Sequence, residues 1–249
     1  MADRHPRRRR IRHADDALSA VGRPSRRSDL AAFIRANLPL CDVPGVPGIR
    51  VHKAQPESGL WRLAKRDTRG FGPPYWAHFW AGGLALARYI VEQPGRVTGT
   101  RVLDLGAGAG LVGIVAAKAG ARAVIAADVD GYAIAAVDLN AAANGVAVTT
   151  VHGDLTLGSP PDVDIVLVGD LFYEPELATR VTDFLDRCVA AGADVLVGDP
   201  GRAFLPLARL RSIAQYPVRD FGDPQGAAGT RSEEHTSELQ SLRHLVCRL

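Results

Sequence analysis

The stretch "VLDLGAGAGLVGIVAAKAGARAVIAADVD" (Val102–Asp130) decides the fold. An apolar run leads into a turn with glycine at every second position (Gly106, Gly108, Gly110). An Ala/Val/Ile/Leu segment follows, and a second apolar run stops at Asp128. In order these are strand, tight turn, helix and strand, a βαβ unit whose strands lie parallel and are covered on both faces. The spacing predicts a strand over Arg101–Leu105, a helix over Gly110–Ala119 and a strand over Ala123–Ala127. The alternation continues with helix Tyr132–Asn144, strands Val148–Val151 and Asp164–Val168, helix Glu176–Ala190 and strand Asp194–Val197. Helix Leu205–Leu210 and a strand over Ser212–Val218 complete it. Such alternation means an α/β fold, a parallel sheet with helices on both faces.

Upstream, "DLAAFIRANLPL" (Asp29–Leu40) has apolar residues at helical spacing after a capping Ser28, and "IRVHKA" (Ile49–Ala54) alternates like a short strand. "GPPYWAHFWAGGLALARYIVEQPG" (Gly72–Gly95) is a proline-bounded aromatic loop running into a helix that Pro94 and Gly95 stop. Four regions result: a polar, Arg-rich tail over 1–28 expected to be disordered, an extension over 29–95, the α/β domain over 96–230, and a terminal segment over 231–249. In the last, "RSEEHTSELQS" (Arg231–Ser241) matches the translation of a common short-read sequencing adapter, so 231–249 is read as an artefact.

Hydrophobic residues at 47% and charged residues at 23% are the balance of an ordinary soluble chain. The net charge of +3 is concentrated in "RHPRRRRIRH" (Arg4–His13) and "RPSRR" (Arg23–Arg27), so no specific nucleic-acid partner is expected of the body. No apolar run approaches the roughly 18 residues of a membrane span, and no membrane partner is expected. Cys41, Cys188 and Cys247 are far apart, which predicts neither a disulfide framework nor a metal site and fits a reducing cytoplasm. Lysine occurs only at Lys53, Lys65 and Lys118, as in a GC-rich bacterial genome.

The glycines of the opening stretch can be counted in two ways. From Gly108 they read G-x-G-x-x-G (Gly108, Gly110, Gly113), with Asp128 about 20 residues on, the dinucleotide fingerprint. From Asp104 they read D-x-G-x-G-x-G (Asp104, Gly106, Gly108, Gly110), the pattern of S-adenosylmethionine enzymes. A carboxylate at Asp104 would repel a pyrophosphate at the helix N-terminus, but it suits the cationic amino-acid end of S-adenosylmethionine. Only about 120 residues separate Gly110 from Thr230, little room for the second domain of a dehydrogenase. The methyl donor is the favoured cofactor.

Other candidates sit at strand ends, where open α/β sheets place their ligands. Asp128 is placed to accept the ribose hydroxyls, and Gly169 to let the cofactor pass. Asp154 is a candidate acceptor for the adenine amino group or, equally, a turn aspartate. "GDLFYEP" (Gly169–Pro175) supplies Asp170 and Tyr173 as D-x-x-Y, candidates for orienting an acceptor amine; the alternative is a cap and a packing ring. Tyr75, Trp76, Phe79 and Trp80 are core aromatics or a cofactor cover, and His78 among them reads as a packing residue.

"PPYWAHFWAGGLALARYI" (Pro73–Ile90), "VLDLGAGAGLVGIVAAKAGA" (Val102–Ala121), "DVDGYAIAAVDLNAAANG" (Asp128–Gly145), "GDLFYEP" and "VLVGDPGRAFLP" (Val195–Pro206) together resemble one family. It is the bacterial relatives of the electron-transfer-flavoprotein β-subunit lysine methyltransferases, also described as nicotinamide N-methylase-like or ribosomal-protein methyltransferase-like. The resemblance covers roughly Asp29 to Val218. It implies a Rossmann-like class I methyltransferase sheet of seven strands, the last antiparallel and inserted between the fifth and sixth. The authentic last strand is expected to be lacking here, with "HLVCRL" (His244–Leu249) at best an accidental substitute. It further implies that Trp80 contacts S-adenosylmethionine, that Gly106, Ala107 and Gly108 meet its amino-acid moiety and Asp128 its ribose, and that Asp170 and Tyr173 serve a lysine acceptor. The implied partner is a protein, such as electron-transfer flavoprotein β subunit or a ribosomal protein. A small-molecule N-methyltransferase and a cofactor-binding module without turnover are the alternatives.

Overall fold

The computed structural model describes residues 27–66, 72–218 and 243–249. The expectation of disorder over 1–28 falls outside these residues except at Arg27 and Ser28. Those two open helix α1 (Arg27–Asn37), where the Arg27 guanidinium pairs with Asp138. Strands β1 (Leu40–Asp42) and β2 (Arg50–His52) form an antiparallel hairpin, and helices α2 (Leu60–Arg66) and α3 (Ala81–Glu92) follow. The helix expected to run to Leu40 stops at Asn37, because Pro39 disfavours helical backbone at the residue before it.

The expected alternation then appears. In order come β3 (Arg101–Leu105), α4 (Leu111–Lys118), β4 (Ala123–Asp128), α5 (Gly131–Ala143), β5 (Thr149–His152) and β6 (Ile165–Gly169). Helix α6 (Pro175–Ala190), β7 (Asp194–Asp199) and β8 (Arg211–Pro217) follow. The helix expected over Leu205–Leu210 is a single 3-10 turn, Leu207–Arg209, entered from Pro206. Sheet order is β5-β4-β3-β6-β7-β9-β8, parallel from β5 through β7.

Period-two alternation assigns the strand residues to two faces. Val102, Ile165 and Leu167 pack with α3 and α4 on one side. Leu103, Leu105, Val166 and Val168 pack with Val181, Phe184 and Leu185 of α6 on the other. The extension covers α5, with Ile34, Leu38 and Trp76 against Tyr132 and Ala133. Asn140 ties the two together: its Oδ1 accepts from the His52 backbone at 2.8 Å and its Nδ2 donates to the Ala109 carbonyl of the glycine turn at 2.8 Å.

The slot of the missing authentic strand is filled by the C-terminal segment that the sequence offers as a substitute. Strand β9 (Arg243–Arg248) runs antiparallel between β7 and β8, with Asp199 opposite Leu245 and Pro217 opposite Arg243. Val246 and Cys247 are buried there, and Arg248 Nε donates to Asp194 Oδ1 at 2.6 Å. An empty slot would leave two rows of unpaired peptide groups; β9 satisfies both. The sheet therefore has the seven-stranded mixed order that the resemblance implies, and the order reverses between β3 and β6.

Candidate functional site

A cavity of about 620 Å³ lies beyond the C-terminal ends of the parallel strands, at the reversal of strand order. The volume is that of a small-molecule site. Trp80, Gly106, Gly108, Asp128, Asp154, Gly169, Asp170 and Tyr173 line it, as the sequence leads one to expect; Asp104 and Ala107 do not.

The glycine turn forms its floor. Gly106, Gly108 and Gly110 have φ of +69°, +53° and +79°, a left-handed region where a Cβ is costly. The turn folds back on β4: Gly106 and Ala107 both donate to the Ala127 carbonyl, and Gly108 N donates to Asp128 Oδ2 at 2.8 Å. Asp128 thus braces the turn while facing the cavity, and burial pushes its carboxyl above the usual range.

Asp104 is placed differently from the reading that set it against the donor's amino-acid end. Its carboxylate is 2% exposed, lies under α4 and accepts from Gly113 N at 2.8 Å. A Cβ on Gly113 would stand 3.0 Å from Asp104 Oδ2 and 3.2 Å from Val124. The third glycine of the dinucleotide count is there for helix packing, and Asp104 fills the space it leaves. Burial, with a smaller push from Asp128, raises the Asp104 carboxyl to about 7.

Asp170 follows β6 with φ of +60°, the one non-glycine residue at positive φ among those described. Backbone strain of this kind gathers at functional sites. Asp170 Oδ1 accepts from Gly82 N at 3.1 Å, Oδ2 accepts from Gly83 N at 2.6 Å, and Arg202 Nη1 lies 2.5 Å from Oδ1. Burial raises its carboxyl to about 6 against the pull of Arg202 and the two N–H groups. The first turn of α3 comes this close because Gly82 and Gly83 have no side chains. A Cβ on Gly82 would lie 2.2 Å from the Gly198 carbonyl oxygen, and one on Gly169 would lie 3.0 Å from Gly83 Cα. Gly169 thus serves helix docking as well as the cavity wall.

Two half-exposed rings stand at the mouth, Tyr75 and Tyr173, with centroids 5.9 Å apart. Burial raises the Tyr173 phenol, which keeps it protonated at neutral pH. Trp80 Nε1 donates to the Tyr75 carbonyl at 2.8 Å. Behind them Trp76 stacks on Tyr132 at 5.4 Å, its buried Nε1 without a hydrogen-bond partner among the described residues. His78 accepts from Trp61 Nε1 at 3.1 Å, and burial lowers it to about 4, so it is a neutral packing residue as expected.

Asp154 is a turn aspartate, the second of its two readings, and it also lines the cavity. It caps the 3-10 turn Leu155–Leu157, accepting from Thr156 N at 2.9 Å. Sequence reasoning missed Arg202, Arg180 and Asp130 as lining residues. "DPGR" (Asp199–Arg202) signals only a turn after a strand; the contact with Asp170 exists only once β6 and β7 lie side by side. Among the lining side chains five carboxylates (Asp128, Asp130, Asp154, Asp170, Glu174) face two guanidiniums (Arg180, Arg202), a field that favours cationic ligands.

A family described as "Lysine methyltransferase" matches residues 71–203. The electron transfer flavoprotein beta subunit lysine methyltransferase of Xenopus laevis is 34% identical over 195 residues, 76% of this chain and 79% of that protein. The Danio rerio protein of the same name is 43% identical over 178 residues, 70% and 69%. The human one is 34% identical over 177 residues, 70% and 67%. S-adenosylmethionine fits the residues present: a turn of glycines and alanines permits close approach, and the excess of carboxylates in the wall suits its sulfonium and ammonium. The chain belongs to the lysine methyltransferase family and is an S-adenosylmethionine-dependent enzyme acting on protein lysine.

Proposed function

We propose that the protein substrate is electron transfer flavoprotein β subunit and that the acceptor lysine enters past Tyr75 and Tyr173. The observation that carries this reading is the cavity itself: the charged side chains in its lining are five carboxylates against two guanidiniums, and its mouth is two half-exposed aromatic rings. A protein-borne ammonium is drawn to both features. The names of the vertebrate relatives support the identity of the substrate. The Arg-rich, Lys-poor composition supports a bacterial source and the scattered Cys41, Cys188 and Cys247 a reducing cytoplasm; no helix among the described residues is long and apolar enough to cross a membrane.

In this reading Gly106 and Gly108 meet the amino-acid end of S-adenosylmethionine, Asp128 its ribose, Asp154 the adenine side, and Trp80 closes the wall. The bound donor supplies an electrophilic methyl carbon on a sulfonium sulfur. The chain's own residues align the acceptor and exclude water, which can account for much of the rate. A lysine ammonium, with a reference pKa of about 10.4, must lose a proton before its nitrogen becomes nucleophilic. Asp170 is already engaged by Gly82, Gly83 and Arg202, so its contribution is fixed negative charge beside the amine. Tyr173 positions the amine through its hydroxyl, and the proton leaves through the open mouth.

The test is incubation with methyl-labelled S-adenosylmethionine and, in parallel, electron transfer flavoprotein β subunit, ribosomal proteins, and free lysine or nicotinamide. Label on lysines of the flavoprotein subunit is the expected result. Label on ribosomal proteins alone would replace the substrate, and label in small molecules alone would overturn the protein-substrate reading.

A further inference from the structure

Arg202 stands on the turn after β7 and reaches back across the sheet end. Its Nη1 lies 2.5 Å from Asp170 Oδ1 and 3.6 Å from Asp199 Oδ2. The side chains are 8% exposed at Asp170, 0% at Asp199 and 19% at Arg202 itself, so one guanidinium serves two buried carboxylates. Asp199 Oδ1 accepts from the backbone N–H of Gly201 and of Arg202, whereas Oδ2 accepts no hydrogen bond among the described residues. Removing one partner from a buried ion pair leaves the other charge uncompensated, a large penalty.

Asp170 is also the link to α3. Its carboxylate holds the N–H groups of Gly82 and Gly83, and Asp170 N donates to the Gly198 carbonyl at 3.0 Å. Trp80 is the N-cap residue of that helix and lines the cavity. The chain of contacts therefore runs Arg202, Asp170, first turn of α3, Trp80.

We propose that Arg202 is a positioning residue of the methyl-transfer site: paired with Asp170, it keeps the first turn of α3 docked on the ends of β6 and β7 and so holds Trp80 in the cofactor wall. This rests on the reading of the cavity as the S-adenosylmethionine site. Arg202 touches neither reacting atom. It acts through Asp170, which must stay ionised to accept from both N–H groups and the guanidinium. The side chains facing Asp170 from the β7 turn are Arg202 and Asp199, and α3 offers backbone N–H groups.

Calorimetric binding of S-adenosylmethionine from pH 5 to 8.5, with thermal unfolding as a control for folding, tests this on wild type, Arg202→Gln, Arg202→Lys and Asp170→Asn. Wild type is expected to lose affinity as pH falls through about 6, where Asp170 takes up a proton. Without the cation, burial acts on Asp170 with less opposition. In Arg202→Gln the acid limb therefore moves up by about 1–3 pH units, and affinity at pH 7 falls about tenfold or more. Arg202→Lys keeps the limb near that of wild type but binds more weakly, since an ammonium lacks the planar fork. Asp170→Asn removes the part of the limb that responds to Arg202 and leaves the part carried by Asp128 and Asp130, which line the same cavity with raised carboxyls. A folded Arg202→Gln with wild-type affinity, or with weaker affinity and an unmoved limb, would overturn the assignment. If the glutamine variant fails to fold, Arg202→Lys decides: affinity equal to wild type overturns it. A wild type that binds no S-adenosylmethionine at any pH overturns the reading of the cavity itself and the role of Arg202 with it.

Discussion

Among the buried aspartates with raised carboxyl pKa values, Asp104 and Asp170 differ in what surrounds them. Asp104 has one backbone donor and no cation, while Asp170 has two backbone donors and a guanidinium. Asp104 is therefore the cleaner case for linkage. Its folded-state pKa of about 7 lies above the unfolded value. The folded state then binds the proton more readily, and stability gained by protonation is lost as pH rises through about 7. Relative to Asp104→Asn, wild type is expected to gain on the order of 2 kcal/mol between pH 8 and pH 5, read by urea unfolding at both. At the cavity mouth, Tyr173→Phe keeps the ring and removes the hydroxyl. The expected result is S-adenosylmethionine affinity within about twofold of wild type and a kcat lower by about tenfold or more. An unchanged kcat would take the hydroxyl out of the reaction.

At the scale of elements, the docking of α3 and α4 depends on missing side chains. Gly113→Ala would press a Cβ against Asp104 and Val124, at 3.0 and 3.2 Å, with an expected loss of about 1–3 kcal/mol by chemical denaturation. Gly82→Ala is more severe, because its Cβ would meet backbone, the Gly198 carbonyl at 2.2 Å, which cannot swing aside. That variant is expected to lose cofactor binding along with stability, since the same turn carries Trp80. Fluorescence-monitored unfolding with and without S-adenosylmethionine separates the two effects.

For the whole molecule, the decisive feature is the closure of the sheet by β9. A strand slot selects on pattern and not on origin. Apolar residues to bury on both faces, and peptide groups to pair on both edges, are enough, which reconciles β9 with the reading of 231–249 as a translated adapter. A chain ending at Thr230 would leave β7 and β8 facing an empty slot, and it is expected to elute as aggregate in size-exclusion chromatography. Appending an unrelated strand with the same apolar positions is expected to restore the monomer peak.

The sequence alone determined the parallel sheet and most of the cavity wall. Strand and helix periods are local, and a parallel sheet puts its loops at one end, so Gly106, Gly108, Asp128, Asp154, Gly169, Asp170 and Tyr173 converge by topology alone. Only the tertiary structure decided where Asp104 points, what holds Asp170 and what fills the last slot. Each depends on contacts between segments distant in the chain: the space above Gly113, the reach of Arg202 from β7 to β6, and the pairing of β9 with two strands at once. Periodicity carries no information about such contacts, because they are set by packing between elements rather than by the pattern within one.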